Sequence, residues 1–314
     1  MAKIPGAEGN NRIPMVAVDQ WEMIEHRKKQ ELEHWDKIKE RNALNSILTI
    51  EINTTELCNR TCVFCPRHDP KVYDNRNLHL TVKGATIIAE ELERSSFEGK
   101  ISFSGFGENL LNPWFPEIIS VFRKHRPSNV IECNTNGDKL DEHYARRIFD
   151  AGMSIIYVNL YDGMEQVDHF DELFDLAGIS QERYKYRVHW GGMENHGLVL
   201  NNRSGVVDWM GIDESTIEAV KDKPCYYPFY KMFVDWNGDC ILCCNDWNRE
   251  QVVGNLITQS LSDVWFGKPM TKIRNKLKKG NRTEKPCNKC NVDGTLFGKP
   301  SFDFINALGS TTDE

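Results

Sequence analysis

Between residues 46 and 190 the chain alternates between two rhythms. Short runs rich in β-branched and aromatic residues read as strands: SILTIEINT (46–54), KISFSGF (100–106), NVIECNT (129–135), SIIYVNLYD (154–162) and YKYRVHW (184–190). Between them lie segments with apolar residues three and four apart: TVKGATIIAEELERS, PWFPEIISVFRKH, DEHYARRIFDAG and HFDELFDLAG. These read as helices, with Thr81 placed to cap the first, Pro near the start of the second and Gly at the end of the third. Strands alternating with helices predict a parallel sheet with crossover helices, an α/β fold. The repeat is regular enough for a partial (β/α)6 barrel of the TIM type. Functional groups in such folds collect at the C-terminal ends of the strands.

The flanks are different. Residues 1–19 read as a flexible lead-in, and 20–43 as a charged helix with one thin apolar stripe of Trp21, Ile24, Leu32, Trp35 and Ile38. Residues 191–216 read as an irregular polar connection with room for one short strand. From Cys225 onward the chain is loop-rich and cysteine-rich. The expected division is an N-terminal charged extension (1–46), a core (47–220) and a small C-terminal module (221–314).

Composition narrows the function. Apolar residues make up 40% of 314, enough for a packed core, and no stretch approaches the length and apolarity of a membrane-spanning helix. A net charge of −7 argues against broad nucleic-acid binding, and the basic tract at 272–285 reads as a solvated helix face. The first residues lack the apolar core of a signal peptide, so the expected location is the cytoplasm. Ten cysteines in such a chain point to metal rather than disulfides.

The cysteines are unevenly spread. Cys58, Cys62 and Cys65 directly follow the first predicted core strand. Three thiolates at +4 and +3 wrap one corner of a compact metal site and leave a fourth position open. Structural zinc and most iron–sulfur clusters take four ligands, so a three-ligand site suggests chemistry, with zinc or chance spacing as alternatives. Cys225, Cys243, Cys287 and Cys290 supply four further thiols around a predicted hairpin turning at Asn237-Gly238. Spacing alone leaves zinc and iron–sulfur equally open there.

The run CNRTCVFC resembles the CxxxCxxC signature of radical S-adenosylmethionine (SAM) enzymes, including an aromatic, Phe64, before the last cysteine. That resemblance implies a [4Fe–4S] cluster on Cys58, Cys62 and Cys65. Its open iron chelates SAM, and reductive cleavage of SAM yields a 5′-deoxyadenosyl radical that takes hydrogen from substrate. It also implies roles for residues at successive strand ends. Ser104, Gly105, Gly107 and Glu108 match a Gly-Gly-Glu-type motif that meets the methionine amino group, with Phe106 intervening between the glycines. Asn134 and Asn136 flank Thr135 in a Thr-Asn-Gly-type end, Asn159 and Asp162 stand where a ribose-binding group is expected, and Arg187 faces the SAM carboxylate.

The C-terminal cysteines, with Gly254-Asn255-Leu256 and Leu261 to Trp265, resemble SPASM and shorter twitch modules. These imply one auxiliary [4Fe–4S] cluster on Cys225, Cys243, Cys287 and Cys290. Cys133 is expected to be a buried apolar residue. Cys240 and Cys244 flank a ligand and are candidate hydrogen donors to a substrate radical, which tilts the expectation slightly towards epimerisation. Asp246 is a candidate base. The expected function is hydrogen abstraction from a small polar substrate such as a sugar or aminocyclitol, ending in epimerisation or dehydrogenation. The expected substrate lining is His189, Trp190, Glu194, Asn195, His196, Asn202 and Arg203. A flavodoxin or ferredoxin is the expected one-electron donor. The alternative is a maturase acting on a ribosomally made peptide.

Overall fold

The computed structural model describes residues 16–17, 20–38, 44–189, 196, 198–210 and 214–309. Local chemistry sets several helix starts. Thr81 accepts from the Gly84 N–H at the start of α2 (Val82–Arg94), Asp141 from Tyr144 at α4 (Glu142–Asp150), and Ser260 from Asp263 at α8 (Leu261–Trp265). Pro116 occupies the first turn of α3 (Phe115–His125), where a missing N–H costs nothing.

The strands are β1 (Val16–Ala17), β2 (Thr49–Ile52), β3 (Lys100–Phe103), β4 (Ile131–Thr135), β5 (Ile155–Leu160), β6 (Tyr184–Val188), β7 (Lys231–Val234), β8 (Asp239–Ile241) and β9 (Val252–Asn255). They form one sheet in the order β1-β6-β5-β4-β3-β2-β7-β8-β9. All pairings from β1 to β7 are parallel, and β7-β8-β9 is antiparallel. This is the expected α/β partial barrel. Its crossover helices are α2, α3, α4 and α5 (Glu165–Leu176). The C-terminal segment is woven into the same sheet: β7 pairs with β2 in register Thr49–Lys231 to Ile52–Val234. The expected hairpin forms there, with Gly238 in the left-handed region at φ +86°.

Side chains alternate across the sheet as a period of two requires. Ile50, Ile52, Ile101, Phe103, Ile131, Cys133, Ile156, Val158, Met232 and Val234 enter the apolar core beneath the helices. Thr49, Glu51, Lys100, Ser102, Glu132, Asn134, Asn159, Arg187 and Lys231 face a cavity on the other side. Cys133 is thus the buried apolar residue expected of it.

The remaining helices are α1 (Gln20–Lys37), α6 (Glu214–Glu218), α7 (Tyr227–Tyr230), α9 (Lys268–Leu277) and α10 (Lys299–Gly309). Helix α1 ends before the expected residue 43, and Val16–Ala17 pair with β6 rather than forming part of a loose lead-in. The apolar stripe also differs. Ile24, Trp35 and Ile38 are buried, but Trp21 and Leu32 are exposed and Met23 is buried against Tyr157 instead. Trp35 meets Phe304 of α10 edge-on at 5.8 Å. In the basic tract, Lys276 pairs with Glu284, while the Arg274 guanidinium lies 3.9 Å over the buried Trp265 ring. The described part of 191–216 contains a 3-10 turn at Arg203–Gly205 and the start of α6, and no strand. Trp190, Glu194 and Asn195 lie outside the described residues.

Candidate active site

The loop after β2 carries Cys58, Cys62 and Cys65, all half-buried and all lining one cavity of about 490 Å³. Asn75 holds the Cys58 peptide from both sides, accepting its N–H at 2.9 Å and donating to its carbonyl at 3.0 Å. The buried Arg67 donates to the carbonyls of Glu56 and Phe106, locking the loop onto the end of β3. Burial pushes the Cys58 thiol up to about 11 and the Cys62 thiol up to about 12, with neighbouring thiols adding to both. Thiols that line one cavity, and are this reluctant to ionise alone, suit a bound cationic centre that compensates thiolate charge. The donor set therefore fits a three-thiolate cluster site.

Glu108 follows β3 and is buried. Its Oε1 accepts from the Thr135 hydroxyl at 2.7 Å and the Leu110 N–H at 3.1 Å, and its Oε2 from the Asn136 N–H at 2.8 Å. Burial raises its pKa against these donors. A β-carbon on Gly107 would come within 2.0 Å of the Thr55 carbonyl oxygen, so this turn admits only glycine. Phe106 turns away into a separate apolar cluster, 4.5 Å from Trp247 and 4.8 Å from Phe233 between ring centroids. That accounts for a bulky residue between two glycines.

The other strand ends converge on the same space. Asn159 donates to the Thr135 carbonyl at 2.9 Å and contacts the His189 ring at 2.9 Å. Burial lowers His189 to about 3, so the ring is neutral. Phe64 stacks beside Tyr161 and lies 5.8 Å from His189. Among the described residues the buried Arg187 Nε has no partner, and burial lowers the pKa of this guanidinium to about 9. An uncompensated guanidinium of this kind is a seat for a carboxylate. Phe64, Ser104, Gly105, Gly107, Glu108, Asn134, Asn136, Asn159 and Arg187 all line the cavity. Ser104 is already committed, donating to Glu51.

Cys225, Cys243, Cys287 and Cys290 line the same cavity. A β-carbon on Gly294 would stand 2.4 Å from the Cys225 sulfur, so the missing side chain is what makes room for this set. Burial and mutual proximity raise Cys225 to about 11 and push Cys243 and Cys287 higher. Four thiols fit a closed cluster site, in contrast to the open three-thiol set.

Four sequence candidates change role. Cys240 is fully buried in the apolar core, 3.8 Å from the Met232 sulfur, and does not reach the cavity. Its place on β8 points it under the sheet. Asp246 is buried, accepts the Glu250 and Gln251 N–H groups at 2.9 Å each, and is not among the residues that line the cavity. Asp162 is half-exposed, held with Asp138 by Arg60, and is not among the residues that line the cavity. Asn202 fastens the connection to the Cys287–Cys290 turn by bonding Lys289 and Asn291. Cys244 and Arg203 remain in the cavity lining, and His196 packs 5.5 Å from Phe64.

Sequence reasoning missed the inner polar lining. Glu51 pairs with Lys231 at 2.6 Å and accepts from the Tyr227 hydroxyl at 3.1 Å; Glu132 pairs with Lys100 at 2.9 Å and accepts from Ser102 at 2.8 Å. Arg27 and Glu31 of α1 reach the same cavity. The signal was present in TIEI, KISF and IECN, where polar residues recur at every second strand position.

A cavity flanked by a three-thiol set, a four-thiol set and strand-end polar groups is the arrangement that a resemblance to S-adenosylmethionine-dependent iron–sulfur enzymes implies. Residues 52–190 match the radical SAM superfamily, and residues 225–291 match the SPASM iron–sulfur cluster-binding domain. The chain belongs to the radical SAM superfamily and carries a C-terminal SPASM module. It is 29% identical over 251 residues to an S-adenosyl-L-methionine-dependent 2-deoxy-scyllo-inosamine dehydrogenase of Niallia circulans, covering 79% of this chain and 93% of that protein. The crystal structure of BtrN in complex with AdoMet and 2-DOIA matches with a TM-score of 0.67 and 27% identity, covering 81% of this chain and 96% of that one. A Methanococcus aeolicus protein described as a probable GTP 3′,8-cyclase is 32% identical over 118 residues, 36% of this chain and 37% of that one.

Proposed function

We propose that the protein is a cytoplasmic radical SAM dehydrogenase that oxidises a carbinol carbon of an aminocyclitol or a similar amino-polyol. One observation carries this reading: both thiol sets and a lining of hydrogen-bonding side chains share a single cavity. Cys58, Cys62 and Cys65 hold the SAM-binding cluster, and Cys225, Cys243, Cys287 and Cys290 hold the auxiliary one. When loaded, these groups supply a hydrogen-atom abstractor on one side and a one-electron acceptor on the other. A flavodoxin or ferredoxin delivers the priming electron. Residues 47–220 act as the catalytic core and 221–314 as the auxiliary unit.

The residues of the chain supply binding and orientation. Glu108, with lone pairs left on Oε2, receives the SAM ammonium, and Arg187 receives its carboxylate. Gly105 and Gly107 let backbone approach the methionine end. Asn134, Asn136 and Asn159 offer amide edges to the sugar, and Phe64 with Tyr161 walls the opposite side. The ion-paired strand positions Glu51, Lys231, Glu132 and Lys100, with Ser102 and Tyr227, present donors and acceptors suited to a hydroxylated ring rather than an apolar one. Oxidation of a carbinol removes one hydrogen atom, one proton and one electron, which suits a pair of redox sites around one substrate space.

The test is anaerobic turnover of 2-deoxy-scyllo-inosamine by the reconstituted enzyme. Deoxyadenosine and a carbonyl product in equal amounts are expected. Deoxyadenosine with a stereoinverted, deuterium-labelled product in heavy water would replace this reading with epimerisation through Cys244, the remaining surplus thiol in the cavity. Turnover confined to a peptide would replace it with a maturase.

A further inference from the structure

Five carboxylates line the cavity among the described residues: Glu31, Glu51, Glu108, Glu132 and Asp293. Four are committed. Glu51 has Lys231, Tyr227 and Ser104; Glu132 has Lys100 and Ser102; Glu108 has Thr135 and two backbone N–H groups. Asp293 accepts from the Thr295 N–H and hydroxyl and lies 3.5 Å from Lys223. Among the described residues Glu31 has one hydrogen bond, from the Gly298 N–H to Oε2 at 3.2 Å. No ion pair reaches it among the described residues.

The position of Glu31 is built, not incidental. Helix α1 is anchored on both sides of it by Met23 against Tyr157 and by Trp35 and Ile38 in a cluster with Leu48 and Tyr230. One turn earlier Arg27 donates to Asn134 at 3.3 Å, fixing the same helix face over the strand ends. The bond from Gly298 depends on a glycine. Its φ is +79°, and a β-carbon would lie 2.0 Å from the Tyr230 ring. Desolvation raises Glu31 to about 7 even though Arg27, Lys100 and Lys231 face it. Those cations are turned to other partners: Lys100 to Glu132, Lys231 to Glu51, and Arg27 to Asn134. A half-buried carboxylate that is partly desolvated and short of donors gains most from a ligand that brings both charge and hydrogen.

We propose that Glu31 is the specificity residue that receives the substrate's ammonium group. This rests on the amino-polyol reading above and adds to it the side chain that would distinguish an amine from a plain cyclitol. It also gives α1 a share in the substrate site, although α1 lies before the sequence matched to the superfamily.

The test is calorimetric binding to the anaerobic, cluster-loaded, SAM-bound enzyme. The probes are 2-deoxy-scyllo-inosamine and the corresponding cyclitol with hydroxyl in place of the amine. The wild type is expected to prefer the amine. Glu31→Gln is expected to weaken amine binding about tenfold to a hundredfold while leaving the cyclitol, iron content and SAM affinity unchanged. Glu31→Ala should lose the same preference. Equal weakening of both probes, an unaffected amine in Glu31→Gln, or no amine preference in the wild type overturns the assignment. Turnover is read separately: an amine bound through Glu31 but not oxidised leaves this inference standing and removes the dehydrogenase reading.

Discussion

Asn53 and Asp235, 182 residues apart, are joined by a buried hydrogen bond of 2.8 Å from the Asn53 amide to the Asp235 carboxylate. The other end of the Asn53 side chain accepts the N–H groups of Phe106 and Gly107 at 3.0 and 3.1 Å. Asp235 also pairs with Arg249 at 2.6 Å, and Arg249 reaches the Tyr73 hydroxyl at 2.9 Å and the Glu56 carboxylate. One polar knot therefore ties the cysteine loop, the glycine turn after β3 and the C-terminal hairpin. The aromatic cluster of Phe106, Tyr73, Phe233 and Trp247 packs beside it.

Removing the knot's centre is expected to be costly. Asn53→Ala strands two buried N–H groups and leaves Asp235 one donor short. Each stranded group costs about 1–3 kcal/mol, so a loss of about 3 kcal/mol in chemical denaturation is expected, together with weaker SAM binding. A loss below about 0.5 kcal/mol would show that Asn53 is replaceable there.

Glu108→Gln keeps the shape of the side chain but replaces an acceptor with an N–H₂ facing donors from Thr135, Leu110 and Asn136. SAM affinity is expected to fall about tenfold to a hundredfold, with iron content unchanged, because a charge-assisted bond to an ammonium is worth about 1.5–3 kcal/mol. Calorimetry on the reconstituted protein measures this. An unaltered dissociation constant would take Glu108 out of SAM recognition.

The fold and the strand-end groups were legible because both are local: period-two and helical patterns, capping residues, and cysteine spacings lie within short windows. What could not be read was tertiary. Cys240 and Cys244 are equivalent in sequence, but residue parity on β8 and the turn beyond it sends one into the core and the other to the cavity. Asp246 looked available because nothing in the sequence announces that two N–H groups four and five residues on will fold back to it. Arg27 and Glu31 were hidden by their setting. In a run of charges, the two that turn inward are chosen by the burial of Met23, Ile24, Trp35 and Ile38 on the same helix.

The Tyr161 side chain lies beside the Cys62 thiol, each shifting the other's ionisation, and once that sulfur is a thiolate ligand a hydroxyl reaching it can only donate. A hydrogen bond to a ligand sulfur stabilises the more negative, reduced cluster. Tyr161→Phe is therefore expected to lower the midpoint potential of the SAM-site cluster with iron content retained. Potentiometric titration followed by electron paramagnetic resonance measures this, and the SAM-responsive signal identifies the cluster. A potential equal to wild type would leave the hydroxyl without an electrostatic role.

The two thiol sets should load independently. The wild type is expected to take up about eight irons, and the Cys58→Ala/Cys62→Ala/Cys65→Ala protein about four, with no deoxyadenosine formed. Iron analysis with Mössbauer spectroscopy distinguishes four-iron clusters from zinc in the closed site. A saturated wild type near four irons, with zinc bound, would limit cluster chemistry to the first set.

The two surplus cysteines of the C-terminal hairpin should part in their effects. Cys240 sits against Met232 and the Gly238 carbonyl in the core, so Cys240→Ala leaves a small void and is expected to cost about 1 kcal/mol of stability without altering the product. Cys244 lies in the cavity lining, where burial and the nearby Glu51 carboxylate raise its thiol while the Tyr227 hydroxyl and Lys231 act the other way. A thiol held protonated beside substrate has the means to return a hydrogen atom, and only the reaction outcome decides whether it does. For a dehydrogenase, turnover in heavy water places no deuterium at the reacting carbon, and Cys244→Ala still yields carbonyl product. Deuterium retained at that carbon in the wild type, and lost with the product in Cys244→Ala while deoxyadenosine continues to form, would make Cys244 the hydrogen donor of an epimerase.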